Sequence, residues 1–326
     1  MTSKSETIFI ATRGSALALA QANQVLSECR AAFPALRFEL NIIRTTGDEL
    51  QSASLAKEGT DLPKGLFTKE LEVALLEGKA DLAVHSLKDL PTELPPGLLL
   101  GGVGKRADVR DVLIYRQAAN GAERRGFPPN LAVSDLPEAA VVGTSSTRRK
   151  AQLLERNPGL KVPDIRGNVT TRLQKVADRP ELDATVLALA GISRLNFRIT
   201  RQGRLEGEAV PKGLLATVLD IETMLPCVGQ GAIGLEIREH DERMTSVCQR
   251  LNHFETLQSV TAERAFLAGM GGGCQSPVAA YAEVVSGQLR MRALSFTAGP
   301  VRRAEAQHPI DQAAELGRHL ARELKG

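Results

Sequence analysis

The stretch TIFIATRGSALALAQANQVLSECRAAFPALRFELNII, residues 7–43, decides the fold. Residues 7–12 are a short, mostly apolar run and are predicted to form a buried strand. Apolar side chains then recur every three or four residues from Leu19 to Phe33, which is typical of an amphipathic helix, and Pro34 ends that helix. Residues 36–43 are predicted to form a second strand. A strand–helix–strand unit of this kind predicts parallel pairing through a right-handed crossover.

The same alternation of strand and helix continues along the chain. We expect a helix that ends at Gly78, strands at 81–85 and 110–115, strand–turn–helix units at 141–159 and 161–176, and a strand with a turn at 184–195. The final part has one helix, strands at 278–285 and 288–296, and a terminal helix from Gln312. The segments 55–65 and 116–130 have the composition of loops. This order of elements predicts an α/β protein built in layers.

Composition limits the class of protein. The chain has 326 residues, of which 43% are hydrophobic and 24% charged, so we expect a globular protein of two or three domains. No apolar run is long enough for a signal peptide or a membrane span, which predicts a cytoplasmic protein. The four cysteines form no Cys-x-x-Cys pair, so we expect neither a zinc site nor a disulfide framework.

Positive charge is concentrated in the middle of the chain. Residues 144–212 contain 14 Lys and Arg against 7 Asp and Glu, a local charge of +7, whereas the whole chain carries +3 and the remainder therefore −4. Such a field attracts an anionic ligand. Nucleic acid is disfavoured because aromatic residues make up only 3%, with no Trp and two Tyr. The alternative is that most of these charges lie on solvated helix faces.

Two motifs in this basic region are typical of anion sites. In TSSTRR (144–149), hydroxyl residues lead into a predicted helix, whose free backbone N–H groups and two arginines suit a carboxylate. Simple helix capping with exposed arginines explains this motif equally well. In IRGNVTTR (165–172), Arg172 lies in the first turn of a predicted helix, where a bound anion would offset its unfavourable position. Arg13, Arg166 and Arg194 each follow a predicted strand end, where α/β sheets bind ligands.

Two further motifs carry reactive groups. In HSLKDLP (85–91), Asp89 is a single carboxylate among cations, suited to stabilising a developing positive charge, although an ordinary charged turn is the alternative. In GMGGGCQSP (269–277), three glycines precede Cys274, which favours an exposed thiol. The sequence shows no base beside this thiol, so a covalent tether and a catalytic nucleophile stay open as interpretations.

Six segments together resemble one family, the porphobilinogen deaminases. They are ATRGSALALAQA (11–22), KGLFTKELEVALLEGKADLAVHSLKDLPT (64–92), VVGTSSTRRKAQL (141–153), IRGNVTTRL (165–173), VGQGAIGLE (228–236) and ERAFLAGMGGGCQSP (263–277). The resemblance implies that four porphobilinogen units are deaminated and joined head to tail into hydroxymethylbilane. It also implies a dipyrromethane cofactor linked by a thioether to Cys274, which makes that cysteine a tether.

The resemblance also implies a fold of three α/β domains. Two are lobes similar to periplasmic binding proteins with the active site between them, and the smaller third domain carries the cofactor cysteine. Mapped on this sequence, the N-terminal lobe spans 1–104 and 232–249, the second lobe 109–227, and the cofactor-attachment domain 252–326. A monomer is implied, with transient hand-over of the product to uroporphyrinogen-III synthase.

Individual residues receive roles from the same resemblance. Asp89 matches the catalytic aspartate, which stabilises the cation left when ammonia departs. The residues implied on the cofactor side are Lys88, Asp89, Thr144, Ser145, Ser146, Arg148, Arg149 and Arg172, besides Cys274. The residues implied to bind substrate carboxylates are Arg13, Ser15, Lys64, Arg166, Arg172 and Arg194. The loop 55–65 is longer than the family's usual form and sets Lys57 and Lys64 further apart.

Two other functions are alternatives to this one. A non-catalytic bilobal binding protein for an anionic small molecule would explain the arginines but would leave Asp89 and Cys274 without a role. A nucleic-acid-binding regulator would need a recognition motif, and the sequence contains no helix-turn-helix pattern.

Overall fold

The structure is a computed structural model that describes residues 7–45, 68–118, 125–273 and 276–325. Within these ranges the strands form three sheets of three to five strands and a two-stranded ribbon. Helices pack on the sheets, so the predicted α/β layering is confirmed. The predictions on Lys57, Lys64 and Cys274, and on the centre of the 116–130 excursion, lie outside the described residues.

The strands and helices of the described ranges are numbered in chain order. The strands are β1 (Ile8–Arg13), β2 (Phe38–Ile43), β3 (Leu82–Ser86), β4 (Leu98–Val103), β5 (Asp111–Arg116), β6 (Val142–Gly143), β7 (Ala184–Ala188), β8 (Arg198–Ile199), β9 (Leu205–Glu206), β10 (Leu214–Leu219), β11 (Ile233–Arg238), β12 (Val278–Val285), β13 (Gln288–Ser295) and β14 (Arg302–Pro309). The helices are α1 (Ala16–Ala32), α2 (Lys69–Leu76), α3 (Thr147–Arg156), α4 (Val169–Asp178), α5 (Leu189–Arg194), α6 (Glu242–Leu251), α7 (Phe254–Gly269) and α8 (Ala313–Lys325). None of these helices is both long and apolar enough to cross a bilayer.

The first sheet has the strand order β2-β1-β3-β11-β4 and confirms the parallel pairing predicted for residues 7–43. Strand β1 pairs in parallel with both β2 and β3, and α1 makes the connection between β1 and β2. Helix α1 buries Ala22, Val25, Leu26 and Cys29 in the same apolar cluster as Ile8 of β1. Strand β11 pairs antiparallel with β3 and β4, although more than a hundred residues separate it from β4 in the sequence.

The second sheet has the order β10-β5-β7-β6, with β5 antiparallel to both of its neighbours. The sequence predicts a strand at the start of residues 161–176, and this prediction is wrong. Only an isolated bridge joins Val141 to Lys161, and the next segment is irregular up to α4. Pro163 gives the physical reason, since it has no N–H to donate and cannot continue a ladder.

The third sheet is an antiparallel meander, β12-β13-β14, covered by α7 and α8. Phe266 of α7 and Leu316 and Leu320 of α8 are fully buried in one apolar cluster with Leu289 and Met291 of β13. Strand β14 was not predicted, because its sequence RRAEAQHP is mostly polar and lies at the edge of the sheet. The bounds predicted for the three domains stay a prediction.

A buried carboxylate ties the second sheet to α3 and to the chain that crosses between the sheets. Asp111 opens β5, and its Oδ2 accepts a hydrogen bond from Arg148 (2.8 Å) while its Oδ1 accepts one from Arg149 (2.7 Å). Gln230, in the crossing segment 226–232, also donates to Oδ1 (3.0 Å). Burial alone would raise the pKa of Asp111, but the two guanidinium groups outweigh it and hold that pKa at about 2. Asp111 is therefore a structural anion shared by three segments.

We expect Asp111→Asn to lower the midpoint of urea-induced unfolding strongly. The substitution preserves shape but leaves two buried guanidinium groups without their counter-ion, which costs about 3–5 kcal/mol. The matched control is Glu206→Gln, which breaks an exposed pair with Arg198 (3.0 Å) and should cost less than about 1 kcal/mol. Equal losses in the two variants would contradict the role given to Asp111.

The stabilisation that Asp111 provides should depend on pH. The folded-state pKa of Asp111 lies below the ordinary value of 3.8, so its ionised form stabilises the fold fully above that value. The stabilisation is lost as the pH falls from 3.8 through about 2. We expect the wild-type advantage over Asp111→Asn to shrink across this interval, measured by urea unfolding at each pH. A constant advantage would contradict the assignment.

Candidate active site

A cavity lies between the first and second sheets and collects side chains that the sequence separates widely. Its walls come from the ends of β1 and β3 on one side, from α3, α4 and α5 on the other, and from the crossing segment at 230–232. Seven of the residues predicted from sequence line it: Arg13, Ser15, Lys88, Asp89, Arg149, Arg172 and Arg194.

The first lobe delivers its groups from two strand ends. Arg13 is the last residue of β1, and Ser15 caps α1 by accepting a hydrogen bond from the Ala18 N–H (3.4 Å). Lys88 and Asp89 follow β3 in a single 3₁₀ turn, Leu87–Asp89, in which Leu87 is buried and Asp89 is exposed to the cavity. The structure therefore places these cations and the carboxylate at the predicted carboxyl edge of the sheet.

The second lobe contributes the start of α4. Asn168 caps this helix, since its side-chain oxygen accepts a hydrogen bond from the Thr171 N–H (2.9 Å). Arg172 lies in the first turns, as predicted, and its Nε donates to the Gly167 carbonyl (2.8 Å). Gly167 has a φ of +113°, a conformation that favours glycine. This bond fixes the Nε end of the guanidinium of Arg172, which lines the cavity.

Arg194 does not lie at a strand end, so that part of the prediction is wrong. It is the last residue of α5, a short helix that directly follows β7. An arginine is favourable there because the carboxyl end of a helix carries partial negative charge. Its Nη2 donates to the Gly231 carbonyl (2.7 Å), which links the second lobe to the crossing segment.

Cationic side chains outnumber carboxylates among the described residues that line the cavity. Arg13, Lys88, Arg149, Arg172 and Arg194 are cationic, whereas Asp89 is the sole carboxylate among the described lining residues. Burial, and to a smaller extent the charge of Arg149, lower the pKa of Arg172 to about 10, although the charge of Asp89 opposes the change. Burial also lowers the pKa of Arg194 to about 10. An anionic ligand would relieve this crowding of positive charge.

Arg148 and Arg149 differ in their surroundings although they are adjacent. Arg148 is only 3% exposed, donates to Asp111 and to the Leu225 carbonyl (2.7 Å), and is not among the cavity-lining residues. Arg149 also binds Asp111 and donates to the Val186 carbonyl (2.9 Å), but it does line the cavity. The Nε of Arg149 is buried and has no hydrogen-bond partner among the described residues.

The hydroxyl residues before α3 shape the loop instead of lining the cavity. Ser145 donates to the Ile165 carbonyl (2.9 Å), Ser146 caps α3, and the Thr144 hydroxyl accepts a hydrogen bond from the Ser146 N–H (3.2 Å). Arg166 is half-buried and is also not among the lining residues; its carbonyl accepts a hydrogen bond from Lys175 (3.0 Å). The ligand roles predicted for these residues stay predictions.

Sequence reasoning missed two residues that organise the site. Asp111 stands at the head of an apolar strand in RDVLIY, where a carboxylate is unusual, and that position was the available signal. Gln230 lies between Gly229 and Gly231, both with positive φ, and is fully buried. Its Nε2 donates to the Val109 carbonyl (2.6 Å) as well as to Asp111.

Comparison with known proteins agrees with the resemblance. The family model described as "Porphobilinogen deaminase, dipyromethane cofactor binding domain" matches residues 8–246, and "Porphobilinogen deaminase, C-terminal domain" matches residues 257–326. Among solved structures, YhfZ from Shigella flexneri is similar over 80% of this chain and 90% of its own, with 14% identity and a TM-score of 0.36. That level of similarity establishes neither family nor function.

Curated relatives match nearly the whole length. The porphobilinogen deaminase of Syntrophomonas wolfei is 41% identical over 317 residues, which cover 97% of this chain and 94% of the relative. That of Gloeobacter violaceus is 43% identical over 325 residues, covering 98% and 91%. On this evidence the chain belongs to the porphobilinogen deaminase family.

Proposed function

We propose that this chain is a transferase that deaminates four porphobilinogen molecules and joins them head to tail into hydroxymethylbilane, with release of ammonia. The growing product is held on a dipyrromethane group attached through a thioether to Cys274. The observation that carries the proposal is the excess of cationic side chains over carboxylates in the cavity between the lobes. Each pyrrole ring carries an acetate and a propionate, so every intermediate is a polyanion that this cavity suits.

The described residues fit a dipyrromethane with four carboxylates. Arg149 and Arg172 lie on the second lobe and Lys88 on the first, so anions between them would be held from both sides. The unpartnered, buried Nε of Arg149 is a donor that a carboxylate oxygen could satisfy. When bound, the group supplies the terminal pyrrole carbon to which the next ring is joined.

Asp89 is the residue we propose as catalytic. It is exposed in the cavity, and its charge acts against burial by raising the pKa of Arg172. A carboxylate so placed accepts hydrogen bonds from pyrrole N–H groups and stabilises the positive charge that develops on the substrate as ammonia leaves.

The other arginines bind and orient carboxylates. We propose that Arg13, Arg172 and Arg194, with Ser15 at the start of α1, hold the acetate and propionate groups of successive rings. Planar guanidinium groups suit this task because each can form two parallel hydrogen bonds with one carboxylate. The contributions of Lys64 and Arg166, and those of Thr144, Ser145, Ser146 and Arg148 on the cofactor side, are proposed from the family resemblance.

Domain bounds and biological setting are proposed on the same basis. They are the lobes at 1–104 with 232–249 and at 109–227, the cofactor-attachment domain at 252–326, and a cytoplasmic monomer that hands its product to uroporphyrinogen-III synthase. The pairing of β11 with β3 supports assigning residues after 232 to the first lobe. A non-catalytic binding protein on the same fold is disfavoured, because it leaves Asp89 without a role.

The covalent tether predicts the mass of the purified protein. We expect intact mass spectrometry to show an excess over the polypeptide equal to two linked pyrrole units. The excess should be lost in Cys274→Ser and kept in Cys227→Ser, a matched change at a half-buried free cysteine. A bare polypeptide mass in active wild-type protein would rule out the tether.

For Asp89, we predict that Asp89→Asn folds normally but loses nearly all turnover. The amide has the shape of the carboxylate without the charge that stabilises the developing cation. Turnover is measured as ammonia release from porphobilinogen, and folding as the thermal unfolding midpoint. Glu93→Gln, at an exposed position beyond the same turn, is the control that should retain activity. Substantial activity in Asp89→Asn would remove Asp89 from the catalytic role.

For the arginines, we predict that Arg13→Leu, Arg172→Leu and Arg194→Leu stall elongation at different chain lengths, because each holds carboxylates of different rings. The covalent intermediates that accumulate are resolved by mass spectrometry after a short pulse of porphobilinogen. Arg201→Leu, at an exposed position outside the cavity, should leave their distribution unchanged. A uniform rise in KM across the three variants, with no change in the intermediates, would contradict sequential binding.

A further inference from the structure

We infer that Arg264, on a helix outside both lobes' sheets, is a positioning residue that sets the place of the Asp89 carboxylate. The inference rests on the catalytic role proposed for Asp89. Asp89 ends a 3₁₀ turn of only three residues, which closes with one backbone bond from Leu90 N–H to the Leu87 carbonyl (3.2 Å). So short a turn does not fix its own orientation, and α7 supplies contacts on several of its sides.

The first contact is a fork of hydrogen bonds just beyond Asp89. Arg264 Nη1 donates to the Leu90 carbonyl (3.0 Å), and Nη2 donates to the carbonyls of Pro91 (2.6 Å) and Thr92 (3.3 Å). Three consecutive peptide groups are therefore held by one planar guanidinium. The backbone leaving Asp89 cannot rotate without breaking charge-assisted bonds.

The second contact reaches the turn indirectly, through Glu263, the residue that precedes Arg264 in α7. Glu263 is fully buried and accepts a hydrogen bond from the Gly229 N–H (2.8 Å). Gly229, with a φ of +70°, packs so closely on the turn that a Cβ there would lie 3.1 Å from the Leu87 carbonyl carbon and the Lys88 nitrogen. Glu263 thus holds the segment against which the turn rests.

Glu263 is itself immobilised. Both of its oxygens accept hydrogen bonds from the guanidinium of Arg106 (2.6 and 2.9 Å), and Oε1 also accepts one from the Ala282 N–H of β12 (2.9 Å). Arg106 in turn donates to the Gln230 carbonyl (2.8 Å). The contacts that hold the Asp89 turn are therefore anchored in the third sheet and in the crossing segment.

The third contact is apolar. Leu87 and Leu90, on either side of Lys88 and Asp89, are buried in one cluster with Val260 of α7, and Leu257 of the same helix packs against it. Residues 257, 260 and 264 lie on one face of α7, because they are spaced by three and four. One helix face therefore provides both the apolar seat and the arginine fork for the turn.

A guanidinium, and not just a positive charge, is what this geometry uses. Its rigid fork donates to three carbonyls at once, whereas an ammonium is a single point donor. Misplacing a catalytic group by about 1 Å costs on the order of 100-fold in rate. We therefore expect Arg264→Met to lower kcat by about 10- to 100-fold with KM changed much less, and Arg264→Lys to recover only part of the loss.

The control separates positioning from general destabilisation. Arg238 is partly buried in the first lobe and donates to the carbonyls of Leu75 (3.0 Å) and Ala80 (2.5 Å), outside the cavity lining. It also pairs with the carboxylates of Asp81 (3.1 Å) and Asp241 (2.9 Å). Arg238→Met removes all of these bonds, so its unfolding midpoint should fall at least as far as that of Arg264→Met, while its kcat stays close to wild type. Equal kcat in Arg264→Met and Arg238→Met would overturn the inference.

A double-mutant cycle tests the mechanism directly. In Asp89→Glu the carboxylate is already displaced by one methylene, so adding Arg264→Met should lower kcat by much less than it does alone. Full multiplication of the two losses would show that Arg264 acts independently of Asp89. Asp89→Asn is measured in parallel: if it retains turnover, the proposed role of Asp89 has failed. If it is inactive while Arg264→Met matches its control, only the positioning role has failed.

Discussion

The buried carboxylate of Asp111 is the constraint on which the rest of the structure depends. It neutralises Arg148 and Arg149 at the start of α3 and holds Gln230 of the crossing segment. The helix, the second sheet and the chain that returns to the first sheet are thereby fixed to one anion. An unpaired charge in this position would cost several kcal/mol, so the three segments are held in one arrangement. The cavity wall that contains Arg149 follows from this arrangement.

The cavity depends on an imbalance of charge among its lining residues. Asp111 compensates the two arginines that the fold buries, but no described carboxylate besides Asp89 lines the cavity with Arg13, Lys88, Arg172 and Arg194. Charged groups are disfavoured here without a bound anion, because burial lowers the pKa of both Arg172 and Arg194 and the charge of Arg149 adds to the shift of Arg172. A polyanionic chain of pyrroles offsets that cost, and Asp89 keeps the opposite charge where the reaction develops a cation.

The sequence predicted what local patterns control and missed what distant partners decide. Residues 7–43 gave the parallel β1–β2 pair because apolar periodicity and Pro34 are local signals. The arginines that line the cavity were predicted because they recur near the ends of elements. Arg148 and Arg149 could not be told apart, because their shared partner Asp111 lies 37 and 38 residues away. Strand β11 was missed for the same reason, since its partners β3 and β4 are far away in the sequence.

The central claim is that a polyanionic chain grows on Cys274 within this arginine-lined cavity. The most direct test is a mass spectrum of the intact protein and of its Cys274 peptide after incubation with limiting porphobilinogen. The account predicts a ladder of species above the resting mass, separated by one pyrrole unit and all located on the Cys274 peptide. Product formation with no added mass on that peptide, or a ladder attached elsewhere, would contradict it.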